Sequence, residues 1–213
     1  MQSLRKRSKT DLVYEEIKKL ILRGELSSDT PISENHLARR FEISRTPIRE
    51  ALKRLHIEGF VRIIPNHGVF VRDVSINEVK DIYDLRIALE EFVIKELTGI
   101  LSQDDLSLLE GNLARQEEAL LKNDAFAFHE EDRNFHDYFM KAYGNAMITD
   151  FITNLRDRIE GININMLKQP GNMRLFWGEH KKILEALHKR DAEEATREMD
   201  EHLKGGKDRL LRG

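Results

Sequence analysis

The sequence contains no cysteine among its 213 residues. Without thiols the protein can form neither a disulfide nor a thiolate metal site, so a bound metal would need histidine, aspartate or glutamate ligands. Aromatic residues are also scarce, at 7%, with a single tryptophan. Together with 40% hydrophobic residues, this composition is typical of a helix-rich soluble protein. Eight histidines remain as candidate metal ligands.

Long apolar segments are missing as well. No stretch approaches the roughly 18 consecutive apolar residues that a transmembrane helix requires. The amino end, MQSLRKRSK, has no apolar segment behind its charges that would form a secretion signal. We therefore expect a cytoplasmic protein with no membrane contact.

The small net charge of −3 hides an uneven distribution along the chain. Residues 1–75 contain 15 Lys and Arg against 10 Asp and Glu, whereas residues 76–213 contain 20 Lys and Arg against 28 Asp and Glu. Only the first part has the excess of positive charge that favours an approach to phosphates. The charge pattern predicts two domains, 1–75 for binding nucleic acid and 76–213 for another role.

Residues 33–55, SENHLARRFEISRTPIREALKRL, fit two short helices separated by a tight turn. Ser33 and Ser44 are suitable N-cap residues for them. One face of the second helix is apolar, with side chains at helical spacing: Ile48, Ala51, Leu52 and Leu55. The opposite face carries Arg45, Thr46, Arg49 and Lys53. A helix of this kind suits the major groove of DNA, where arginine donates two hydrogen bonds to guanine.

An exposed basic face is common on helices, and the segment that follows makes a DNA-binding role more specific. Residues 60–64 and 69–72 are rich in β-branched residues, and Pro65, Asn66, His67 and Gly68 between them favour a turn. A further amphipathic helix begins near Thr10 and ends before Gly24. Three helices followed by a β-hairpin are the elements of a winged helix-turn-helix domain.

The run SRTPIREAL at residues 44–52 resembles the winged-helix domain of the GntR family of bacterial transcription regulators. This resemblance covers about residues 10–74. It implies a homodimeric repressor that binds a double-stranded DNA operator with an inverted repeat. The residues that we expect to contact DNA are Asn35, Arg39, Arg45, Thr46, Arg49, Lys53, His67 and Gly68.

Residues 76–213 contain several helix-start signals and no convincing strand pattern. A capping box, Ser75 to Glu78, opens a helix that reaches about Leu97. Further N-cap candidates are Ser102, Asp124, Asn145 and Asp191. We predict a mostly α protein, in which the winged helix-turn-helix domain is followed by an all-α antiparallel bundle of about six helices.

Polar side chains interrupt three of the apolar stripes in this bundle. Asp132 and His136 share the face of Phe128, Phe135 and Phe139, while His180 and His202 lie on the apolar faces of two later helices. A single buried histidine is usually a hydrogen-bonded core residue. Several that converge form a favourable site for a divalent transition metal. Helical spacing alone leaves open whether His129 or His188 takes part.

Three segments resemble the metal-binding form of the FadR-type C-terminal domain, the FCD domain, of GntR regulators. They are DRNFH at 132–136, EH at 179–180, and residues 191–203. The resemblance implies Asp132, His136, His180 and His202 as ligands, without His129 and His188. It also implies a small carboxylate effector at an open coordination position. We expect the metal to be zinc or nickel, because affinity and availability choose it and ligand spacing does not.

Arg86 matches a frequent arginine of this family and is expected either to bind the acid or to form a salt bridge. Asn134, Arg156 and Arg158 are further candidates for effector binding. We therefore predict an effector-responsive transcription regulator and not an enzyme. Two alternatives stay open: a metal-dependent hydrolase with Glu131 or Glu179 as general base, and a DNA-binding protein with a purely structural metal.

Overall fold

The computed structural model describes residues 8–212 and contains nine helices and two strands within them. The chain divides into two compact units, the first ending at Val74 and the second beginning at Ser75. The expected fold class, a winged helix-turn-helix domain followed by a helical bundle, is confirmed.

The first unit consists of three helices and a hairpin in the order α1 (Lys9–Leu22), α2 (Glu34–Arg40), α3 (Arg45–Ile57), β1 (Val61–Ile64) and β2 (Gly68–Val71). Its core is formed by apolar residues of α1 and α3, among which Ile17, Ile48 and Leu55 are completely buried. Helix α3 is amphipathic as predicted, because its buried residues are Ile48, Ala51, Leu52 and Leu55.

The wing is a two-stranded antiparallel sheet in which Val61 pairs with Val71 and Ile64 with Gly68. Its turn needs left-handed backbone conformations, with φ of 63° at Asn66 and 114° at Gly68. Asparagine and glycine tolerate such angles better than other residues, so the turn sequence determines where the hairpin reverses.

The start of α3 differs from a standard capped helix. Ser44 occupies the N-cap position, but its side chain makes no capping hydrogen bond. The third residue of the helix is Pro47, which has no backbone N–H to donate to a serine hydroxyl. Ser44 therefore occupies the predicted N-cap position but does not cap the helix through its side chain. It is exposed beside Arg45 at the start of the helix.

The second unit contains the six remaining helices: α4 (Ile76–Leu97), α5 (Gln103–Leu121), α6 (Ala125–Tyr143), α7 (Ala146–Leu167), α8 (Asn172–His188) and α9 (Ala192–Arg212). Ser102, Asp124 and Asn145 cap α5, α6 and α7 through their side chains, as predicted. Helix α4 packs along α9, and α5 packs against α6 and α8. Within residues 8–212, none of the helices combines the length and apolar character needed to cross a membrane.

Candidate functional site

Four side chains from three helices converge inside the second unit. Asp132 and His136 lie on α6, His180 on α8 and His202 on α9, and one ligand atom from each lies within 4.8 Å of the others. The Nε2 atom of His202 is 3.1 Å from Nε2 of His136 and 3.3 Å from Nε2 of His180. The nearest Asp132 oxygen is 3.6 Å from Nε2 of His180.

Helical periodicity and aromatic packing bring these groups together. Asp132 and His136 are four residues apart on α6 and therefore lie on one face. Phe135, on the same helix, stacks on the His180 ring with centroids 4.3 Å apart. Because Phe135, His136 and His180 are all buried, each imidazole has a fixed orientation in the core.

Each histidine directs Nε2 to the cluster because Nδ1 is already engaged. Nδ1 of His136 lies 2.6 Å from Glu90 Oε2, Nδ1 of His180 lies 2.8 Å from Gln116 Oε1, and Nδ1 of His202 lies 3.0 Å from Glu179 Oε2. Carboxylate and amide oxygens accept hydrogen bonds, so each Nδ1 carries the proton in the neutral ring. Three Nε2 lone pairs therefore point at a common centre.

The orientation of Gln116 is set by a chain of hydrogen bonds. Its Nε2 donates to Asn112 Oδ1 at 2.8 Å, and Asn112 Nδ2 donates to Glu131 Oε2 at 2.7 Å. A carboxylate only accepts, so Asn112 must present its NH₂ group to Glu131 and its oxygen to Gln116. Gln116 in turn must present its oxygen to His180, which leaves the His180 Nε2 free to coordinate.

Glu90 is a completely buried carboxylate on α4. Burial alone would raise its pKa, but Arg86, His136 and Arg156 together hold the pKa of this group well below its ordinary value. Arg86 Nε donates to Glu90 Oε1 at 2.8 Å, and Arg156 Nη2 lies 3.4 Å from Oε2. Glu90 is thus ionised and accepts a hydrogen bond from His136 Nδ1–H.

Burial keeps His136 and His180 of the cluster neutral. It lowers the pKa of His136 to about 4, and it lowers the pKa of His180 well below the ordinary value, with a further contribution from His202 and His136. Uncharged Nε2 lone pairs at 3.1 and 3.3 Å repel one another unless a cation lies between them. Ligands about 2.0–2.1 Å from zinc are themselves about 3.0–3.4 Å apart when adjacent. Three imidazoles and one carboxylate therefore fit a divalent transition metal.

An enclosed cavity of about 20 Å³ adjoins the cluster, with room for about one water-sized group. Its polar wall includes Tyr83, Arg86, His129 and Asn163, together with Asp132, His136 and His202 of the cluster. Its apolar wall includes Met166, Leu167, Phe176 and Leu203. Met166 also lines an open groove of about 540 Å³ between α7 and α9, so this flexible side chain borders both the cavity and the groove.

A second candidate surface lies in the first unit, where all eight residues expected to contact DNA are exposed: Asn35, Arg39, Arg45, Thr46, Arg49, Lys53, His67 and Gly68. Arg45 is the first residue of α3, the position from which a recognition helix reaches base edges. Arg49 is paired with Glu34 at 2.7 Å, and Lys53 with Glu50 at 2.9 Å. In the part of the chain that the structure describes, Arg39 and Arg45 form no ion pair.

Two protein families match the sequence. Residues 9–71 match "Bacterial regulatory proteins, gntR family", and residues 81–205, more than half of the chain, match "FCD domain". The chain belongs to the GntR family. It is a transcriptional regulator with an amino-terminal DNA-binding domain and a carboxyl-terminal FCD domain.

Curated relatives and solved structures of GntR regulators agree with this assignment. The HTH-type transcriptional repressor RspR of Escherichia coli is 28% identical over 191 residues, 90% of this chain and 84% of RspR. The gluconate operon transcriptional repressor of Bacillus licheniformis is 34% identical over 68% of this chain and 59% of its own length. The solved structure of E. coli McbR/YncC, at 22% identity, covers 97% of this chain and 98% of that chain with a TM-score of 0.80, which supports the shared fold.

The four residues expected to bind an effector in this GntR regulator have different positions. Arg86 lines the enclosed cavity and also forms the salt bridge to Glu90 that the sequence left as the alternative. Asn134 is exposed on α6, Arg156 is paired with Asp137 and Glu90, and Arg158 is paired with Glu78. Among the described residues that line the cavity, only Arg86 comes from this set.

Sequence reasoning missed the residues that orient the histidines of the cluster. Glu90, Asn112 and Gln116 received no role, although Asn112 and Gln116 are four residues apart on the buried leucine face of α5. The same signal, a polar residue on an apolar stripe, identified Asp132 and His136. His188 is half exposed and pairs with Glu110 at 3.0 Å, and neither His188 nor His129 belongs to the cluster.

Proposed function

We propose that this GntR regulator is a repressor that binds an inverted-repeat operator as a homodimer. We further propose that a small organic acid, bound at a divalent transition metal in the FCD domain, modulates its affinity for DNA. The observation that carries this proposal is the convergence of three Nε2 atoms and Asp132 beside an enclosed cavity. The GntR domain supplies the DNA-binding function, and the cluster supplies a place for a signal.

The DNA-binding part rests on α3 and the wing. Arg45 and Arg49 read base edges in the major groove, Lys53 binds phosphate, and His67 with Gly68 at the hairpin tip reaches the adjacent groove. Asn35 and Arg39, which line an open depression with Arg45, add contacts at the start of the same surface. Because one winged helix covers only a few base pairs, selective binding requires two copies on a twofold site.

The metal is zinc or nickel, held by Asp132, His136, His180 and His202. All four ligands are of the types that these ions prefer, and availability in the cell decides between them. The bound ion supplies positive charge and an open coordination position for a carboxylate oxygen. Glu90, Gln116 and Glu179 keep the three imidazoles oriented for this ion by accepting hydrogen bonds from their Nδ1–H groups.

The effector is a small acid because the cavity is small. About 20 Å³ holds one water-sized group, so even a short acid must displace part of the wall. Met166 is the side chain suited to move, since it is unbranched and already faces the outer groove. A relative at 34% identity represses a gluconate operon, and gluconate is itself an organic acid.

Regulation is better supported than hydrolysis. The two glutamates considered as general bases have other partners: Glu131 accepts from Asn112 and pairs with Arg115 at 3.0 Å, and Glu179 holds His202 and Arg209. Neither carboxylate lines the enclosed cavity. A purely structural metal would need no cavity at its side, and an effector does need one.

The acid changes DNA affinity only if it binds the DNA-competent and DNA-incompetent states unequally, and coupling of this kind is typically about 1–3 kcal/mol. Helix α4 is the element suited to transmit the difference. It begins at Ile76, shortly after β2 ends at Val71, and it carries Arg86 and Glu90 at the site.

The test is operator binding measured by fluorescence anisotropy, with an operator selected from random DNA. Metal-free and zinc-loaded full-length protein are titrated in the presence and absence of two- to four-carbon acids. We expect at least one acid to change the operator Kd of the zinc-loaded protein by about 5- to 150-fold, and none to change that of the metal-free protein. An equal response of the metal-free protein would contradict the metal-dependent mechanism. Steady turnover of an acid or ester would favour the hydrolase.

A further inference from the structure

His129 is a buried histidine without a hydrogen-bond partner. It lies on α6, three residues before Asp132, and only 8% of its surface is exposed. Both ring nitrogens are inaccessible to solvent, and neither has a partner among residues 8–212. His136, His180 and His202, which are buried in the same unit, each have a hydrogen-bond partner at Nδ1.

An unpaired imidazole in the core is unfavourable for the folded protein. Its nitrogens lose their hydrogen bonds to water on folding and gain none in return. A leucine at this position would bury a similar volume without that loss. Polar groups left unsatisfied in this way call for a specific explanation, and one explanation is a ligand that supplies the missing partner.

The position of His129 indicates where such a ligand would lie. Its side chain lines the enclosed cavity beside Asp132, on the wall that also includes Tyr83, Arg86 and Asn163. Tyr83 donates its hydroxyl proton to Asn163 Oδ1 at 3.3 Å, which leaves the tyrosine oxygen able to accept. The wall formed by Met166, Leu167 and Leu203 offers no hydrogen bonds. The cavity therefore has one polar end, and the metal cluster adjoins it.

The ionisation state of His129 restricts the chemical group that it can recognise. Burial lowers the pKa of His129, so the ring is neutral and offers one N–H donor and one lone pair. A hydroxyl group suits either nitrogen, because it can accept from the N–H or donate to the lone pair. A second carboxylate matches poorly, since it only accepts and would add negative charge close to Asp132.

We propose that His129 is a specificity-determining residue of the effector cavity, and that it selects a small organic acid with a hydroxyl group close to its carboxylate. This inference rests on the function proposed above. The carboxylate binds at the metal, and His129 forms a hydrogen bond with the hydroxyl. The size of the cavity favours acids of two or three carbons.

The first test compares matched acids on the zinc-loaded, full-length protein by isothermal titration calorimetry. Glycolate and lactate carry the hydroxyl, while acetate and propionate lack it. We expect each hydroxy acid to bind about three- to tenfold more tightly than its partner, which is the effect of one hydrogen bond to an uncharged group. In His129→Leu the ratio falls to about one, whereas His129→Gln retains it because the amide keeps a donor and an acceptor.

The second test measures thermal stability without metal or acid. If the role of His129 is to bind the effector, His129→Leu removes an unsatisfied polar group and raises the melting temperature of the protein. A lower melting temperature would mean that His129 has a structural role, and this would overturn the inference. His188→Leu is the matched control, since His188 is half exposed and paired with Glu110, and it leaves the ratio of acid affinities unchanged.

The outcomes separate this inference from the function on which it rests. If glycolate and acetate bind the zinc-loaded protein equally well, or if His129→Leu keeps the preference, the role of His129 is wrong and a metal-bound acid effector still stands. If none of the four acids binds the zinc-loaded protein, the role of His129 is wrong, and the operator titrations with the wider set of two- to four-carbon acids decide the proposed function.

Discussion

The histidines of this site are oriented by residues that do not themselves contact the central position. His180 presents Nε2 because Gln116 accepts from Nδ1, and Gln116 is oriented by Asn112 and Glu131. A free histidine would divide its time between two tautomers and several rotamers. Fixing both in advance lowers the free-energy cost of binding a metal.

Gln116 should therefore affect metal binding although it is not a ligand. We expect Gln116→Leu to lower zinc affinity about 10- to 100-fold, the usual effect of removing the partner of a metal-bound histidine. The measurement is competition with a chromophoric chelator. Glu117→Ala, exposed on the same helix, is the control and should leave the affinity unchanged. Equal affinities for Gln116→Leu and the wild type would mean that the chain from Glu131 to His180 has no part in metal binding.

Arg86 has a structural role in addition to the role proposed for it in effector binding. It neutralises Glu90, which is completely buried, and losing one partner of a buried ion pair typically costs about 3–5 kcal/mol. Since Arg156 and His136 also face Glu90, we expect Arg86→Ala to cost about 3 kcal/mol in urea denaturation. Arg158→Ala removes a more exposed ion pair and should cost below about 1 kcal/mol. Similar losses for the two variants would argue against a structural ion pair at Arg86.

Helix α3 is proposed to make two kinds of DNA contact, and mutation can separate them. Arg45 lies at its amino end without an ion-pair partner among the described residues, so Arg45→Ala should cost about 1–3 kcal/mol on the selected operator and much less on random DNA. Lys53→Ala should weaken both and reduce the slope of log K against log salt by about one. Anisotropy titrations at several salt concentrations measure both effects. Equal losses on operator and random DNA for Arg45→Ala would show that Arg45 contacts only the backbone.

Helices and caps could be predicted because they depend on local sequence. The apolar repeat of α3 and the cap residues Asp124 and Asn145 act within a few positions of one another. The side chain of Ser44 does not cap α3 for an equally local reason, because Pro47 has no backbone N–H to donate. The partners of the histidines could not be predicted, since His180 and Gln116 are 64 positions apart and only the packing of α5 against α8 joins them.

The proposed homodimer requires an apolar surface, and α4 provides a candidate. Leu85 and Phe92 are 42% and 44% exposed and are seven residues apart, so they share one face of α4. We expect Phe92→Asp to shift the protein to a monomer in sedimentation velocity at micromolar concentration, because a buried unpaired charge is unfavourable at an interface. Lys80→Glu, a change of charge at an exposed position on another face of α4, is the control. A dimer that persists in Phe92→Asp would place the interface elsewhere.

Metal binding should stabilise the second unit, because all four proposed ligands come from it and an unfolded chain does not hold them together. At a free zinc concentration 100 times Kd, mass action contributes about 2.7 kcal/mol to the free energy of unfolding. The only tryptophan in the sequence, Trp177, lies on α8 three residues before His180, so its fluorescence reports on this unit. We expect zinc to raise the urea midpoint of the Trp177 signal in the wild type and in His188→Ala. In His202→Ala we expect zinc to leave this midpoint unchanged. A shift of equal size in His202→Ala would mean that zinc binds at another site, and the regulatory mechanism built on this cluster would then be wrong.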